Sequence, residues 1–175
     1  GFVIEDNDEV AERFDAKIMK DRKIAPILMQ DLPTIRHDFF QLMIGNTDWS
    51  TLFQHNQDVM ALDEKTIVPM AYDFDMTGLV NPPYAQVSNL VELESVRDRL
   101  YRGFCRDEVL MQQVRQEFLD KKDEMIAEVA KYQAYYSAAE AKVITTYLNE
   151  FYQILESDKL FRDKILLSCR AVDGS

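Results

Sequence analysis

Residues 45–75 read GNTDWSTLFQHNQDVMALDEKTIVPMAYDFD, a pattern in which two polar clusters flank a predicted hairpin. The first cluster runs from Gly45 to Asn56, and the second is Asp73-Phe74-Asp75. Between them, residues 59–62 and 66–72 have the composition of extended strands, separated by turn-forming residues 63–65. We expect a β-hairpin here, and such a hairpin would bring the two clusters together.

The two clusters contain oxygen ligands of the kind that magnesium and manganese prefer. Asp48, Asn56 and Asp73 would surround one site, with Asp75 as a further candidate. Such a site suits a metal ion that holds the phosphates of a nucleotide. Protein kinases use the same order of a catalytic aspartate, a downstream asparagine and a metal-binding aspartate. Asp48 and Asn56 are eight positions apart, whereas the common kinase loop has about five, so the match is to the layout.

A simpler interpretation of the same residues remains open. Asp, Asn and Gly dominate turns because they form local hydrogen bonds and tolerate unusual backbone angles. Asp48 and Asn56 would then serve only to shape loops. This interpretation explains each residue singly and treats their combined order as coincidence.

Five strings carry a resemblance to a known family. They are Phe2-Val3-Ile4-Glu5-Asp6, Met43-Ile44-Gly45-Asn46-Thr47-Asp48-Trp49, His55-Asn56, Tyr72-Asp73-Phe74-Asp75 with Gly78-Leu79-Val80, and Ser95-Val96-Arg97-Asp98-Arg99-Leu100-Tyr101-Arg102-Gly103. Together they resemble the atypical kinases of the spore-coat protein H type, in particular their uncharacterised bacterial relatives. The resemblance covers about residues 1–105, and the middle three strings are the most specific.

The resemblance implies a role for each polar residue. Asp48 corresponds to the catalytic aspartate, Asn56 to the loop asparagine at the metal, and Asp73 to the metal-binding aspartate. Asp75 corresponds to the second acidic residue of the family's Asp-aromatic-Asp motif. Phe74 stands where the coat-protein kinases often carry tryptophan. The implied cofactor is ATP with magnesium or manganese, and nucleotide is the implied partner.

The start of the chain resembles the hinge strand that joins the two lobes of a kinase. In Gly1-Phe2-Val3-Ile4-Glu5, the backbone groups of Ile4 and Glu5 would meet the adenine. A glycine-bearing phosphate lid and a strand lysine, which a complete kinase needs, cannot be placed in this sequence. We therefore expect a C-terminal-lobe fragment, without its N-terminal lobe, that binds nucleotide weakly if at all in isolation.

Composition limits the classes of partner. A chain of 175 residues with 47% hydrophobic content can bury one sizeable core. The net charge of −11 argues against unspecific binding to nucleic acid or anionic membrane, because both would repel it. No run approaches the roughly 18 apolar residues of a membrane helix, so no membrane insertion is expected. The resemblance implies an exported bacterial protein, while Cys105 and Cys169 leave the redox compartment open.

The remaining sequence is mainly helical. Asn7 or Asp8 is expected to cap a helix ending at Arg13, and a helix after Asp31 leads into Gly45. Successive prolines make residues 81–85 a loop. Further helices are predicted along the rest of the chain. The first has a single apolar stripe over 109–129, the second runs from the capping box at 137–140 to 155, and the third covers 158–169.

These elements predict an α+β, mainly helical fold with one structural unit over residues 1–175. The expected architecture is a kinase-like C-terminal lobe with a small hairpin at the site. Residues 1–105 would hold the site, and residues 106–175 would form a helical subdomain.

Three arginines form a basic cluster in an otherwise acidic chain. Arg97, Arg99 and Arg102 would suit contacts to substrate or phosphate, because guanidinium groups bind such oxygens in pairs. The favoured alternative is local pairing with Glu92, Glu94 and Asp98, which would anchor the loop. Asn46 and His55 are expected to support the loop rather than to take part in chemistry.

The leading hypothesis is a metal-dependent phosphotransferase that moves a γ-phosphoryl group to a hydroxyl, with a protein as the expected acceptor. One alternative is a non-catalytic kinase-like module that binds a partner through its helical tail. Another is a calcium-stabilised scaffold, since carboxylate and amide oxygens also suit calcium.

Overall fold

The computed structural model describes residues 5–20, 23–89, 91–132 and 134–171, which form an α+β fold dominated by helices. Nine helices and strands and two shorter helical turns follow one another along the described chain. They are α1 (Asn7–Arg13), β1 (Lys17–Ile18), a 3₁₀ turn (Pro26–Leu28), α2 (Asp31–Ile44), β2 (Gln57–Ala61), β3 (Ile67–Ala71), α3 (Glu108–Asp120), α4 (Lys122–Lys131), α5 (Ala138–Glu156), α6 (Asp158–Phe161) and a π turn (Arg162–Leu166).

A three-stranded antiparallel sheet carries the predicted hairpin. Its strand order is β1-β2-β3, and β2 pairs with β3 from Gln57 opposite Ala71 to Ala61 opposite Ile67. The Asp63 carboxylate fixes the turn by accepting from the backbone N–H groups of Lys65, at 2.7 Å, and Thr66, at 2.8 Å. Pro69 is tolerated because β3 is an edge strand. The hairpin is confirmed, although β2 begins two residues earlier than expected.

Helix α2 lies at the centre of the main hydrophobic core. Its Ile35 and Phe39 are fully buried, in line with the predicted apolar face. The Phe39 ring centroid lies 5.7 Å from that of Phe118 on α3 and 6.2 Å from that of Phe161 on α6. Aromatic rings at such distances pack edge-on or tilted and stabilise the core beyond simple burial. The helix that leads into the Asp48 loop is therefore anchored on the tail helices.

The helical tail differs from the prediction in two places. The single stripe expected over 109–129 is two helices, because Lys121 (φ −97°, ψ 2°) leaves the helical conformation between them. The apolar spacing continues through this break because α3 and α4 both face the same core. The third helix is shorter than expected: α6 ends at Phe161 and continues as the π turn, after which Arg170 pairs with Phe104.

The two capping predictions had different outcomes. Ser137 and Glu140 form the expected capping box at the start of α5. At α1 the predicted cap was wrong, because the Asp6 side chain, and not that of Asn7 or Asp8, accepts from the Asp8 N–H at 2.8 Å. Asp6 is the last residue before helical backbone angles begin, which is where a capping side chain must stand.

A disulfide joins Cys105 to Cys169 across a sequence separation of 64 residues. Two backbone hydrogen bonds flank it: the Cys105 N–H donates to the Arg170 carbonyl, and the Arg170 N–H donates to the Gly103 carbonyl, both at 2.9 Å. The bond closes the helical tail onto the end of the site-bearing region. The two cysteines, which show no metal-ligand spacing in the sequence, are therefore paired with one another.

Reduction of this disulfide should destabilise the protein by about 2–4 kcal/mol, because the bond restricts the unfolded chain across a long loop. Urea unfolding of the wild type with and without a reductant measures the change. The double variant C105A/C169A is the control, and its midpoint should not respond to the reductant. A wild-type midpoint that ignores the reductant would contradict the expectation.

Candidate functional site

The hairpin brings the two polar clusters to one end of the sheet. The Tyr72 N–H donates to the Asn56 carbonyl at 3.3 Å, just beyond the last paired residues of β2 and β3. Asp73 follows immediately, beside the end of the hairpin that carries Asn56, and the Asn56 side chain is bonded to Asp48. Asp48, Asn56 and Asp73 therefore lie at the same end of the sheet.

A short turn after α2 presents Asp48. The helix ends at Gly45, whose φ of 66° is a left-handed conformation that glycine adopts without steric cost. The Asn46 side-chain oxygen then accepts from the Asp48 N–H at 2.9 Å. Trp49 is buried, and its indole N–H donates to the Asn46 carbonyl at 3.2 Å. Asn46 thus holds the turn from both its side chain and its backbone.

Three side chains surround the Asp48 carboxylate. The Asn56 Nδ2 donates both to the Asp48 carbonyl, at 2.7 Å, and to its Oδ2, at 3.1 Å. The Ser88 hydroxyl donates to Oδ1 at 2.9 Å, and His55 Nε2 lies 3.5 Å from the same oxygen. The Asn56 contact spans eight residues, which is longer than the local hydrogen bonds of a simple turn. Asp48 and Asn56 are therefore joined directly to one another.

Asn56 and Asp73 both adopt left-handed backbone conformations, with φ of 52° and 57°. Asn and Asp take this conformation more readily than other residues that carry a Cβ. The turn-forming interpretation therefore explains the backbone at these two positions. It does not account for the grouping of their side chains.

Negative charge is concentrated around Asp73. Partial burial raises the pKa of its carboxyl first, followed by a hydrogen bond to Asp75 and the charges of Asp75 and Asp48. The Asp75 N–H also reaches Asp73 Oδ1, at 3.5 Å. Within the described ranges, no three or more His, Cys, Asp or Glu side chains lie together as a metal-binding group. The site instead combines carboxylates with the Asn56 amide.

Arg99 acts as an internal anchor. Its side chain is 8% exposed, and its guanidinium donates to the carbonyls of Met43, at 3.2 Å, and Tyr147. It also pairs with Glu150 at 3.1 Å. Burial lowers the pKa of Arg99. The predicted local pairing with Glu92, Glu94 and Asp98 is therefore wrong for Arg99, because its partners lie on α2 and α5.

Arg97 and Arg102 also contact backbone carbonyls at the site. Arg97 donates to the Gly78 carbonyl at 3.2 Å, and Arg102 is buried and donates to the Thr47 carbonyl. Burial, followed by the charge of Arg170, lowers the pKa of Arg102 to about 10. The expected acidic partner for Arg102 is thus replaced by a carbonyl of the Asp48 loop. These positions favour an anchoring role over contact with substrate.

Among the clefts that border the acidic cluster, one is lined by both Asp73 and Asp75 and another by Asp48. The larger, of about 670 Å³, is lined by Glu5, Tyr72, Asp73, Phe74 and Asp75 together with apolar side chains. Residues 1–4 of the predicted hinge strand, including Ile4, lie outside the described residues, whereas Glu5 lines this cleft. The smaller, of about 430 Å³, is lined by Asp48, Ser50, Phe53, His55, Ser88 and Asn89.

Sequence reasoning missed two residues that shape the site. Ser88 contacts Asp48 across forty positions, and no spacing pattern signals such a contact. Tyr147 lies on α5, and the guanidinium groups of Arg97 and Arg99 lie 4.5 Å and 3.5 Å from its ring centroid. Its position in a regular apolar stripe indicated core packing alone.

Comparisons of the chain with protein-family models, with curated proteins and with solved structures found no match. In the described part of the chain, no helix has both the length and the apolar character needed to cross a membrane. The fold and the geometry of the site are therefore the observations from which a function can be proposed.

Replacing Gly45 by alanine should destabilise the protein by about 2 kcal/mol or more. A Cβ at this position would lie 1.9 Å from the Tyr147 hydroxyl, and a left-handed alanine costs about 1–2 kcal/mol by itself. In the Y147F background the cost should fall toward that backbone share, because the clashing oxygen is gone and only the ring carbon Cζ, at 3.0 Å, remains close. Urea unfolding of the four proteins in the double-mutant cycle measures this, and equal costs in both backgrounds would contradict the contact.

Replacing Asp73 by asparagine should slightly stabilise the protein at pH 7. A carboxyl whose pKa is raised by folding favours the folded state at low pH, and that contribution is lost as pH rises through its folded pKa. Asparagine is uncharged, so it removes the cost of a partly buried carboxylate beside Asp75 and Asp48, and it tolerates the positive φ. Because the side chain is exposed, the gain should stay below about 1 kcal/mol, or about 2–4 °C in Tm.

The matched control for this change is D63N in the hairpin turn. Hydrogen bonds from Lys65 and Thr66 lower the pKa of Asp63, so its ionised form stabilises the fold above the unfolded-state pKa. D63N should therefore lower Tm at pH 7, and both differences should shrink as the carboxyls protonate toward pH 3. Thermal unfolding across this pH range tests the signs, and a lower Tm for D73N at pH 7 would overturn the account of Asp73.

Proposed function

We propose that the intact protein is a metal-dependent phosphotransferase whose kinase-like C-terminal lobe includes this chain. It would transfer the γ-phosphoryl group of a nucleoside triphosphate to a hydroxyl, with a protein as the acceptor. The observation that carries the proposal is the placement of Asp48, Asn56 and Asp73 at one end of the hairpin, where Asn56 is bonded to Asp48 and its carbonyl accepts from the N–H of Tyr72, the residue before Asp73. Phosphoryl transfer depends on positioning and charge stabilisation, which such a cluster can provide.

Each acidic residue has a separate part in this proposal. Asp48 would orient the acceptor hydroxyl and take its proton, since its carboxylate already accepts a serine hydroxyl at 2.9 Å. Asp73 and Asn56 would hold magnesium or manganese, with Asp75 beside them. Because Asn56 directs its Nδ2 to Asp48, its Oδ1 is the atom that would bind the ion. A divalent ion bound there would neutralise phosphate charge, and it would offset the partial burial and the neighbouring negative charges that raise the pKa of Asp73.

The larger cleft has a suitable size to hold the nucleotide base. Its volume of about 670 Å³ lies within the usual range of small-molecule sites, about 300–1,000 Å³. Asp73 and Asp75 line one side, so a base in the cleft would leave its phosphates near the acidic cluster. The resemblance implies that a phosphate lid and a lysine from outside these 175 residues would complete the site.

The disulfide supports the exported location that the resemblance implies. Disulfides such as Cys105–Cys169 form and persist mainly in oxidising compartments. Kinase-like chemistry would then act on acceptors in or beyond such a compartment.

Calorimetric titration of the intact protein with manganese-ATP tests the proposal. Binding should be weakened at least about tenfold by D73N, because a ligand to the ion is lost, and should be kept in D63N, which makes the same charge change in the hairpin turn. D48N should still bind but should transfer phosphate about 100-fold more slowly or worse, which is the usual range for losing a proton acceptor.

The proposal is wrong if the intact protein binds no manganese-ATP, or if D73N leaves binding and transfer unchanged. In the first case the non-catalytic partner-binding module becomes the better hypothesis. A rise in Tm with calcium that ATP does not increase would favour the calcium-stabilised scaffold.

A further inference from the structure

Ser88 lies beside Asp48, the proposed proton acceptor. Its hydroxyl donates to Asp48 Oδ1 at 2.9 Å, although the two residues are forty positions apart. Both side chains line the smaller cleft of about 430 Å³. A hydroxyl at this distance from a proton-accepting carboxylate is within reach of proton transfer. Ser88 thus stands where the proposed reaction needs its acceptor hydroxyl.

The segment that carries Ser88 is held at several points. Upstream, the Ala85 N–H donates to the Pro82 carbonyl at 2.9 Å, and just beyond Ser88 the Val91 N–H donates to the Ser88 carbonyl at 3.2 Å. Farther along, the Asp98 carboxylate accepts from the Ser95 N–H at 2.8 Å. These short-range bonds shape the segment as a series of turns. Within this segment Ser88 reaches the Asp48 loop, where it is only partly buried.

We propose that Ser88 is a phosphorylation site that the protein modifies in cis. This inference rests on the proposed function and names a substrate of the same site. The Ser88 Oγ would attack the γ-phosphorus of the nucleoside triphosphate, forming an Oγ–P bond. The bond from the γ-phosphorus to the bridging oxygen breaks and releases the nucleoside diphosphate, and the hydroxyl proton passes to Asp48. No further reactant is needed.

Phosphorylation would also change access to the smaller cleft. A phosphoserine carries a charge of about −1.5 to −2 at neutral pH. It would stand beside the Asp48 carboxylate that Ser88 now contacts, so repulsion would replace an attractive hydrogen bond. The modified serine would leave Asp48, and the cleft would open to a hydroxyl from another molecule. Ser88 would therefore be both the first acceptor and the group that covers Asp48 beforehand.

The test uses the intact protein, treated with phosphatase, repurified and then incubated with manganese-ATP. Peptide mass spectrometry should find phosphate on Ser88 in the wild type. The S88T variant keeps a hydroxyl and should carry phosphate at the same position, whereas S88A should have none there. S95A is the matched control on the same segment, and it should retain phosphate on Ser88. D48N should bind manganese-ATP but accumulate Ser88 phosphate about 100-fold more slowly or worse.

The rate of modification tests whether the reaction is in cis. Phosphate on Ser88 should appear with a rate constant independent of protein concentration over about a hundredfold dilution. A rate constant that rises in proportion to concentration would overturn the intramolecular assignment.

Calorimetry and an assay of transfer to an added protein distinguish a failure of the Ser88 assignment from a failure of the proposed function. Binding of manganese-ATP and transfer to an added protein, without phosphate on Ser88, would overturn the role of Ser88 and leave the proposed function intact. Failure to bind manganese-ATP would overturn both. A Ser88 that only braces Asp48 predicts the first of these results.

Discussion

The left-handed turn at Gly45 is the point on which the site depends. The Gly45 carbonyl accepts from the Gly78 N–H at 3.1 Å, and the Ile44 carbonyl accepts from the Leu79 N–H at 3.0 Å. The end of α2 is thereby joined to the segment that follows Asp75, while the turn itself leads into Asp48. Tyr147 packs so closely on this junction that neither Gly45 nor Gly78 has room for a side chain. The close packing of Tyr147 against Gly45 and Gly78 therefore helps to position both acidic loops, the one that contains Asp48 and the one that contains Asp73 and Asp75.

Because Tyr147 lies on α5, the helical tail helps to position the site. Buried guanidinium groups are costly unless their donors find acceptors. The terminal Nη2 of Arg99 donates to carbonyls of Met43 on α2 and Tyr147 on α5, while the buried Nε of Arg99 has no partner among the described residues. Its charge also lies 3.5 Å from the Tyr147 ring centroid, where the cation–π attraction offsets part of the desolvation cost. Residues far along the chain thus hold the end of α2 in place. The helical subdomain that the sequence predicts over residues 106–175 therefore supplies anchors to the predicted site region.

Local chemistry explains which features could be predicted from sequence. The hairpin follows from turn-forming residues such as Asp63, the start of α5 from the Ser137 and Glu140 pair, and α2 from its regular apolar spacing. The break at Lys121 was hidden because α3 and α4 present apolar residues to one core. Ser88, Tyr147 and the partners of Arg99 and Arg102 escaped prediction because each contact joins residues about 40 positions apart or more, and single-sequence patterns report only local order.

The Cys105–Cys169 bond turns the helices between the two cysteines into a closed covalent ring. A tensile force applied along the polypeptide would pass directly from residue 105 to residue 169, so α3, α4, α5 and α6 would not be extended by it. A protease that cut the exposed connection between α4 and α5 would likewise leave two pieces that stay attached until the bond is reduced. The anchors that α5 supplies to the acidic loops, Tyr147 and Glu150, lie inside this ring. In the oxidised protein these two anchors therefore stay covalently attached to the acidic loops after such a cut.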